Sequence, residues 1–231
     1  MSSSKSLGSS LRRAGALGVI AAAGLAGQAG AATFTENGDA GQTVASAQDT
    51  SSSGPLQALT GISGSISSST DADLYLIHIA DPLSFVASAT AAGTSMFDPQ
   101  LFLLTLNGAP VALNDDAAGG VDTLPTLGGI NGLTAGFYLL GVSQSGYDPV
   151  NSVNQLLFAS GLPTDTRYPA NGLQPAVLGG FSDGTFAADS GSYALQLSGV
   201  DTLSVSAVPE PSTLMLFAAG GLLAALRRRR A

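Results

Sequence analysis

Asp73-Leu74-Tyr75-Leu76-Ile77-His78-Ile79-Ala80 is the stretch on which the fold turns. In an extended chain its apolar side chains fall on both faces, Leu74 and Leu76 on one, Tyr75, Ile77 and Ile79 on the other, as expected of a strand covered on each side. Further short strands are expected at residues 85–89, 101–106, 111–113, 137–142, 193–197 and 202–205, separated by glycine, proline, asparagine and aspartate. Asn107-Gly108 between two apolar runs is a strong hairpin signal. No long stripe of apolar residues at helical spacing interrupts them. The pattern predicts an all-β fold, a single β-sandwich of jelly-roll type. Tyr75, Ile77, Ile79, Phe85, Leu101, Leu103, Phe137, Leu139 and Leu195 are expected to face its interior.

Two regions read as less regular. Residues 40–54 are rich in Ser, Thr, Gln and Gly, and the segment 32–58 is expected to be a linker or an edge segment leading into a domain at 59–206. Residues 143–192 carry Asp148-Pro149, Pro163, Pro169, Asn171-Gly172 and Gly179-Gly180 and read as a long decorated connection. A gap of that length calls for structure of its own, and 156–158 and 176–178 are candidates for short strands within it.

Between residues 32 and 206 stand 15 acidic residues against the single basic Arg167, a formal charge of −14. That balance argues against nucleic acid and anionic surfaces, and favours cations. Cysteine is absent from the chain, which removes disulfides, thiolate metal sites and a thiol nucleophile together. The one histidine, His78, sits mid-strand on the face of Leu74 and Leu76, and reads as a partly buried, hydrogen-bonded side chain rather than a catalytic base. A histidine zinc site lacks partners, and the aspartates stand mostly in turn-like contexts. The chain is expected not to be an enzyme. Calcium takes hard oxygen ligands from loops, and Asp71, Asp73, Asp98, Asn114, Asp115, Asp116 and Asp122 collect at expected strand ends. The competing account is that each fixes its own turn through a side-chain to backbone hydrogen bond. Adjacent Asp115 and Asp116 repel unless a cation or solvent separates them.

The ends of the chain speak of export. Lys5, Arg12 and Arg13 precede an apolar stretch over 14–26, and Ala29-Gly30-Ala31 offers small residues at the spacing a signal peptidase needs, so 1–31 reads as a signal peptide. Arg12-Arg13 hints at the twin-arginine route, but Leu11 stands where Ser or Thr is wanted, and general secretion fits better. At the other end Val208, Pro209, Glu210 and Pro211 form a stub that proline keeps extended, followed by an apolar run over 214–226 and by Arg227, Arg228, Arg229 and Arg230. As a helix this run covers about 20 Å, short of the hydrocarbon core of about 30 Å, and is therefore a marginal anchor. The arginines act as a stop-transfer cluster on the cytoplasmic side, which leaves the stub on the outer face. The three parts over 207–231 resemble the PEP-CTERM sorting signal. That resemblance implies recognition and processing by exosortase, a membrane-embedded enzyme, and a protein exported across the inner membrane, transiently anchored, then delivered to the cell surface or medium.

A second resemblance runs through the centre. Asp71-Ala72-Asp73-Leu74-Tyr75, Asp98-Pro99-Gln100-Leu101-Phe102-Leu103, Asn107-Gly108, Asn114-Asp115-Asp116, Leu133-Thr134-Ala135-Gly136-Phe137-Tyr138-Leu139 and Gly191-Ser192-Tyr193-Ala194-Leu195 follow in the order seen in the bacterial pre-peptidase C-terminal domain. This domain is a small β-sandwich of secreted peptidases and other exported proteins. The chain departs from it over 146–189, where a shorter connection is the rule. Together these readings predict a structural or adhesive module at the surface or in an exopolysaccharide matrix, with a calcium- or carbohydrate-binding module as the alternative and a hydrolase the weakest. Five tyrosines and no tryptophan leave few rings for stacking sugars.

Overall fold

A computed structural model describes residues 30–95, 98–117, 123–182 and 189–204. Thirteen strands account for its regular structure: β1 (Ala31–Thr35), β2 (Gln48–Asp49), β3 (Ala58–Ile66), β4 (Ala72–Ile79), β5 (Val86–Ala89), β6 (Pro99–Thr105), β7 (Pro110–Asn114), β8 (Thr126–Gly128), β9 (Gly136–Gln144), β10 (Asp148–Val150), β11 (Gly180–Ser182), β12 (Gly191–Ser198) and β13 (Val200–Asp201). The described residues contain no helix, and none long and apolar enough to cross a membrane. The signal peptide, the apolar tail with its arginines, and Asp122 lie outside the described residues.

Eleven of the strands form one nearly closed sheet in the order β7-β6-β9-β4-β13-β3-β12-β5-β8. The neighbours along this path are antiparallel, with β4 and β9 in continuous register from Ala72↔Ser143 to Ile79↔Gly136. Short β13 bridges the two halves, pairing Val200 with Ile79 and Asp201 with Ala58. Just after it Thr202 donates its N–H to Gln57 O (2.9 Å), accepts from Ser52 N–H (3.2 Å) and receives Gln57 N–H on Oγ1 (3.1 Å). At the far ends of the path Thr126 N–H donates to Asn114 Oδ1 (2.8 Å), linking β8 to β7. The segment before β3 is drawn into the same sheet: β1 runs parallel to β3 and β2 parallel to β4.

The inner core joins both halves. Tyr75, Ile77 and Ile79 from β4, Leu101 and Leu103 from β6, Leu140 and Val142 from β9, and Tyr193, Leu195 and Leu197 from β12 are buried together, with Phe85 beside them. The alternation of β9 differs from the expected one. Tyr138, Leu140 and Val142 point inward, so Leu139 packs on the opposite face and Phe137 is only half-buried there, its ring 4.7 Å from that of His78. Register decides this, because a shift of one residue along a strand moves every side chain to the other face.

The outer face of β4-β9-β6-β7 is also covered. Leu74, Phe102, Leu104, Leu113 and Leu139 form a second apolar layer with Leu157, Phe158 and Leu173 of the long connection. This explains why the stretch 73–80 is apolar on both faces. The connection is held by isolated bridges, Val150↔Leu156, Phe158↔Pro169 and Leu113↔Arg167, and by the two-stranded sheet β10-β11. Its only strands among the described residues are β10 and β11, so the short strands expected at 156–158 and 176–178 reduce to bridges and turns. The strand expected at 202–205 ends early, since β13 stops at Asp201 and residues 202–204 follow without strand pairing.

Candidate functional site

Carboxylates gather at one pole of the sheet, where β4 and β6 begin and β7 and β9 end. They stand at the ends of β4, β6 and β7, with β9 between β4 and β6, Asp73↔Val142, Val142↔Leu101 and Leu101↔Asn114 being successive partners. Adjacent strands lie about 4.8 Å apart, so Asp73 and Asn114 stand about 14 Å from one another. The acidic residues therefore fall into two groups.

The first group centres on Asp73, which is 0% exposed. Tyr193 donates its hydroxyl to Asp73 Oδ2 (2.6 Å), and the Tyr75 hydroxyl is hydrogen-bonded to that of Tyr193. Asp73 Oδ1 has no hydrogen-bond partner. Burial pushes the Asp73 carboxyl up to about 7, against the hydrogen bond from Tyr193, with Glu36, Asp71 and Asp39 adding repulsion. Burial likewise raises both tyrosines, so they stay neutral donors.

Glu36 follows β1 and continues its pairing, its N–H donating to Ser63 O (2.8 Å). Its Oε2 accepts Ser65 N–H (2.8 Å) and its Oε1 accepts Ala40 N–H (2.9 Å), which folds the turn 36–40 back over the strand. Asp39 Oδ1 accepts Gly41 N–H (2.8 Å), and Gly41 O receives Leu74 N–H (3.2 Å), tying the turn to the start of β4. Gly64 of β3 leaves the room this needs: a Cβ there would stand 2.3 Å from the Tyr193 hydroxyl oxygen and 2.7 Å from Glu36 Oε2. One carboxylate oxygen from each of Glu36, Asp39 and Asp73 lies within 4.8 Å of the others. Calcium binds oxygens at about 2.4 Å, so two ligands on opposite sides of one ion are about 5 Å apart, and this spacing suits it. Among the described residues this is the group of three or more carboxylates that converges so closely.

Sequence reading singled out Asp73 but passed over Glu36 and Asp39. The signal was there in Glu36-Asn37-Gly38-Asp39, two acids flanking an Asn-Gly turn directly after an apolar strand. Asp71 sits nearby at the end of the β3–β4 turn, where its Oδ2 accepts both the N–H and the hydroxyl of Ser67 (2.7 Å each).

The second group comprises Asp98, Asn114, Asp115 and Asp116. Asn114 clips two loops, accepting Thr126 N–H and donating Nδ2 to Asp165 O (3.4 Å). Asp115 Oδ2 takes the Ser145 hydroxyl (3.0 Å) and Arg167 Nη2 (3.1 Å). Burial raises the Asp115 carboxyl, while Ser145 and Arg167 oppose the shift. Asp98 is pushed up to about 6, first by burial and then by Asp115, Asp116 and Asp189. Asp116 N–H donates to Pro163 O (3.0 Å), so the backbone of this pair is fixed by the long connection.

His78 lies toward the opposite pole. Its Nδ1 is 2.7 Å from Asp201 Oδ1, a hydrogen-bonded pair between β4 and β13.

Residues 207–230 match the family described as the PEP-CTERM protein-sorting motif. The motif implies an exported protein that is sorted by exosortase and anchored transiently in the membrane before it is passed on. No curated protein and no solved structure matches the chain. The sorting motif starts a few residues beyond Thr202, after the last described strand.

Proposed function

We propose that the chain is a non-enzymatic protein of the cell surface or extracellular matrix, in which exosortase processes the tail and the β-domain acts as a structural or adhesive module. The observation that carries this reading is the sorting motif at 207–230, with Val208-Pro209-Glu210-Pro211 ahead of the arginines. The nearly closed sheet with two apolar layers suits a sandwich of pre-peptidase C-terminal type, whose long connection 146–189 serves as an added outer cover. His78, held by Asp201 and packed on the ring of Phe137, fits a structural role that joins β4 to β13. Exported protein should lack everything beyond about Pro211 by intact mass spectrometry, and replacing Pro209, Glu210 and Pro211 together by alanine should leave a membrane-held precursor. Finding Arg227–Arg230 on extracellular protein would overturn the assignment.

A second reading, calcium binding, is favoured by one observation: a fully buried carboxylate oxygen, Asp73 Oδ1, lacks a partner beside Glu36 and Asp39. Leaving such a group unpaired is costly, and a divalent cation would remove the cost together with the mutual repulsion. Titration calorimetry with calcium chloride should detect one site that Glu36→Gln and Asp39→Asn each abolish. Heat unchanged from wild type in both variants would exclude this cluster.

A further inference from the structure

The only basic residue between positions 32 and 206 is not at the surface, where a solubilising charge would stand, but in the wall of a cavity. The cavity, about 260 Å³, lies between the end of β7, the β9–β10 turn and the long connection. Arg167 is pinned there by its backbone, which exchanges hydrogen bonds with Leu113 in both directions (2.7 and 2.9 Å). Its side chain, 15% exposed, is paired with Asp115, 7% exposed. Neither partner is saturated: Arg167 Nε and Asp115 Oδ1 both lack a hydrogen-bond partner, although both are buried. The rest of the lining combines apolar surface from Leu156, Phe158, Pro149 and Pro163 with the polar Ser145 and Ser160.

We infer that this cavity binds a neutral sugar residue, whose neighbouring hydroxyls accept from Arg167 and donate to Asp115 while a carbon face of the ring rests on Leu156 and Phe158. The chemistry narrows the ligand in three steps. An unused donor on Arg167 beside an unused acceptor on Asp115 calls for a ligand that both accepts and donates at adjacent positions, which a pair of hydroxyls does. The charge of Arg167 is already balanced by Asp115, and Asp98, Asp116 and Asp148 stand close by, so a carboxylate or phosphate ligand meets repulsion. The volume is below the range of about 300–1,000 Å³ typical of drug-sized ligands, which suits a single ring at the end or side of a chain. Both unpaired atoms have essentially no solvent contact, so the proposal requires that the guanidinium and carboxylate turn toward the cavity when the sugar binds. The proposal concerns a different place from the Glu36–Asp39–Asp73 cluster and stands whether or not that cluster takes a cation.

The test uses the exported protein and saturation-transfer difference NMR with cellobiose, maltose, lactose and, as the acidic comparison, digalacturonate. At least one neutral disaccharide should give transfer from a single pyranose ring at millimolar concentration. Arg167→Lys keeps the charge but loses Nε and the planar fork, and should weaken that binding about tenfold or more. Removing one member of the pair alone would leave a buried charge, so Asp115→Asn combined with Arg167→Gln serves as the variant that retains the fold. Gly161→Phe fills the cavity from its rim, where the atoms nearest to a Cβ are Arg167 Cγ at 3.5 Å, Asp165 Oδ2 at 3.6 Å and Arg167 Cδ at 3.8 Å. Both should melt near wild type and show no transfer. Binding retained in the folded Gly161→Phe protein, binding of digalacturonate in preference to the neutral sugars, or no transfer from any neutral disaccharide would each overturn the proposal.

Discussion

Gly141, in the middle of β9, has no side chain because Phe102 of the neighbouring strand lies across it. A Cβ at this position would stand 2.0 Å from Phe102 Cε2 and 2.1 Å from its Cζ. Phe102 in turn is fixed between the sheet and Phe181 of β11, their ring centroids 5.7 Å apart. Gly141→Ala should therefore destabilise by about 1–3 kcal/mol, the usual cost of overpacking, read from urea denaturation. Asp73 makes a different kind of prediction. Its carboxyl titrates at about 7 in the folded protein, against about 4 when unfolded. The native state thus holds a proton that the unfolded chain releases, so this contribution to stability is complete below about pH 4 and is lost as pH rises through about 7. Asp98 acts in the same direction only up to about 6, so the loss above that pH belongs chiefly to Asp73. In chelator, the melting temperature of wild type should fall between about pH 6 and pH 7.5, and Asp73→Asn should flatten that fall. An unchanged slope in the variant would show that another group titrates there.

At the scale of elements, the long connection is a working layer of the domain and not a decoration. Leu157 is fully buried against the outer face of the sheet. Leu157→Ala should cost about 2–5 kcal/mol, as much as a substitution in the inner core, whereas a loose loop would register almost nothing. Chemical denaturation of the two proteins side by side distinguishes these outcomes. Elements with strong local signals were readable in the sequence: β4, β6, β7, β9 and β12 announce themselves by apolar runs, and Asn107-Gly108 does close a hairpin, with Gly108 at φ 81°. The nine-residue β3 was not readable. Its serines and glycines, among them Gly61 and Gly64, hide the buried Leu59, Ile62 and Ile66; Gly64 is small because Tyr193 and Glu36 occupy its space, and a Cβ at Gly61 would stand 3.1 Å from Leu195 O. Phe137 and Leu139 were assigned to the inner face because both faces of β9 are apolar, and only the register with β4 settles which is which. The carboxylate cluster was half legible for a similar reason: Asp73 stands beside a strong strand, while Glu36 and Asp39 reach it through the parallel pairing of β1 with β3, which no local pattern announces.

For the molecule as a whole, charge is the dominant constraint. A region with formal charge −14 and no disulfide repels itself, and a cation bound to the native state alone offsets part of that. Saturating a site at a hundredfold excess over Kd stabilises by about 2.7 kcal/mol, a shift of several degrees in melting temperature. Sodium chloride at matched ionic strength screens without binding and should not reproduce the calcium shift, and Glu36→Gln should erase it. The point at which the chain leaves the sheet also decides which end of the domain the sorting motif follows. Thr202 is held by Gln57 and Ser52, and six peptide links separate it from Val208 of the sorting motif. Glu36 is bonded to Ser65 at the other end of β3 from Gln57, and at about 3.3 Å per residue the two places are about 25 Å apart along the strand. The sorting tail therefore departs from the end of the sheet opposite the acidic pole, and the carboxylates and the Arg167 cavity lie at the end farther from the residues that exosortase would process.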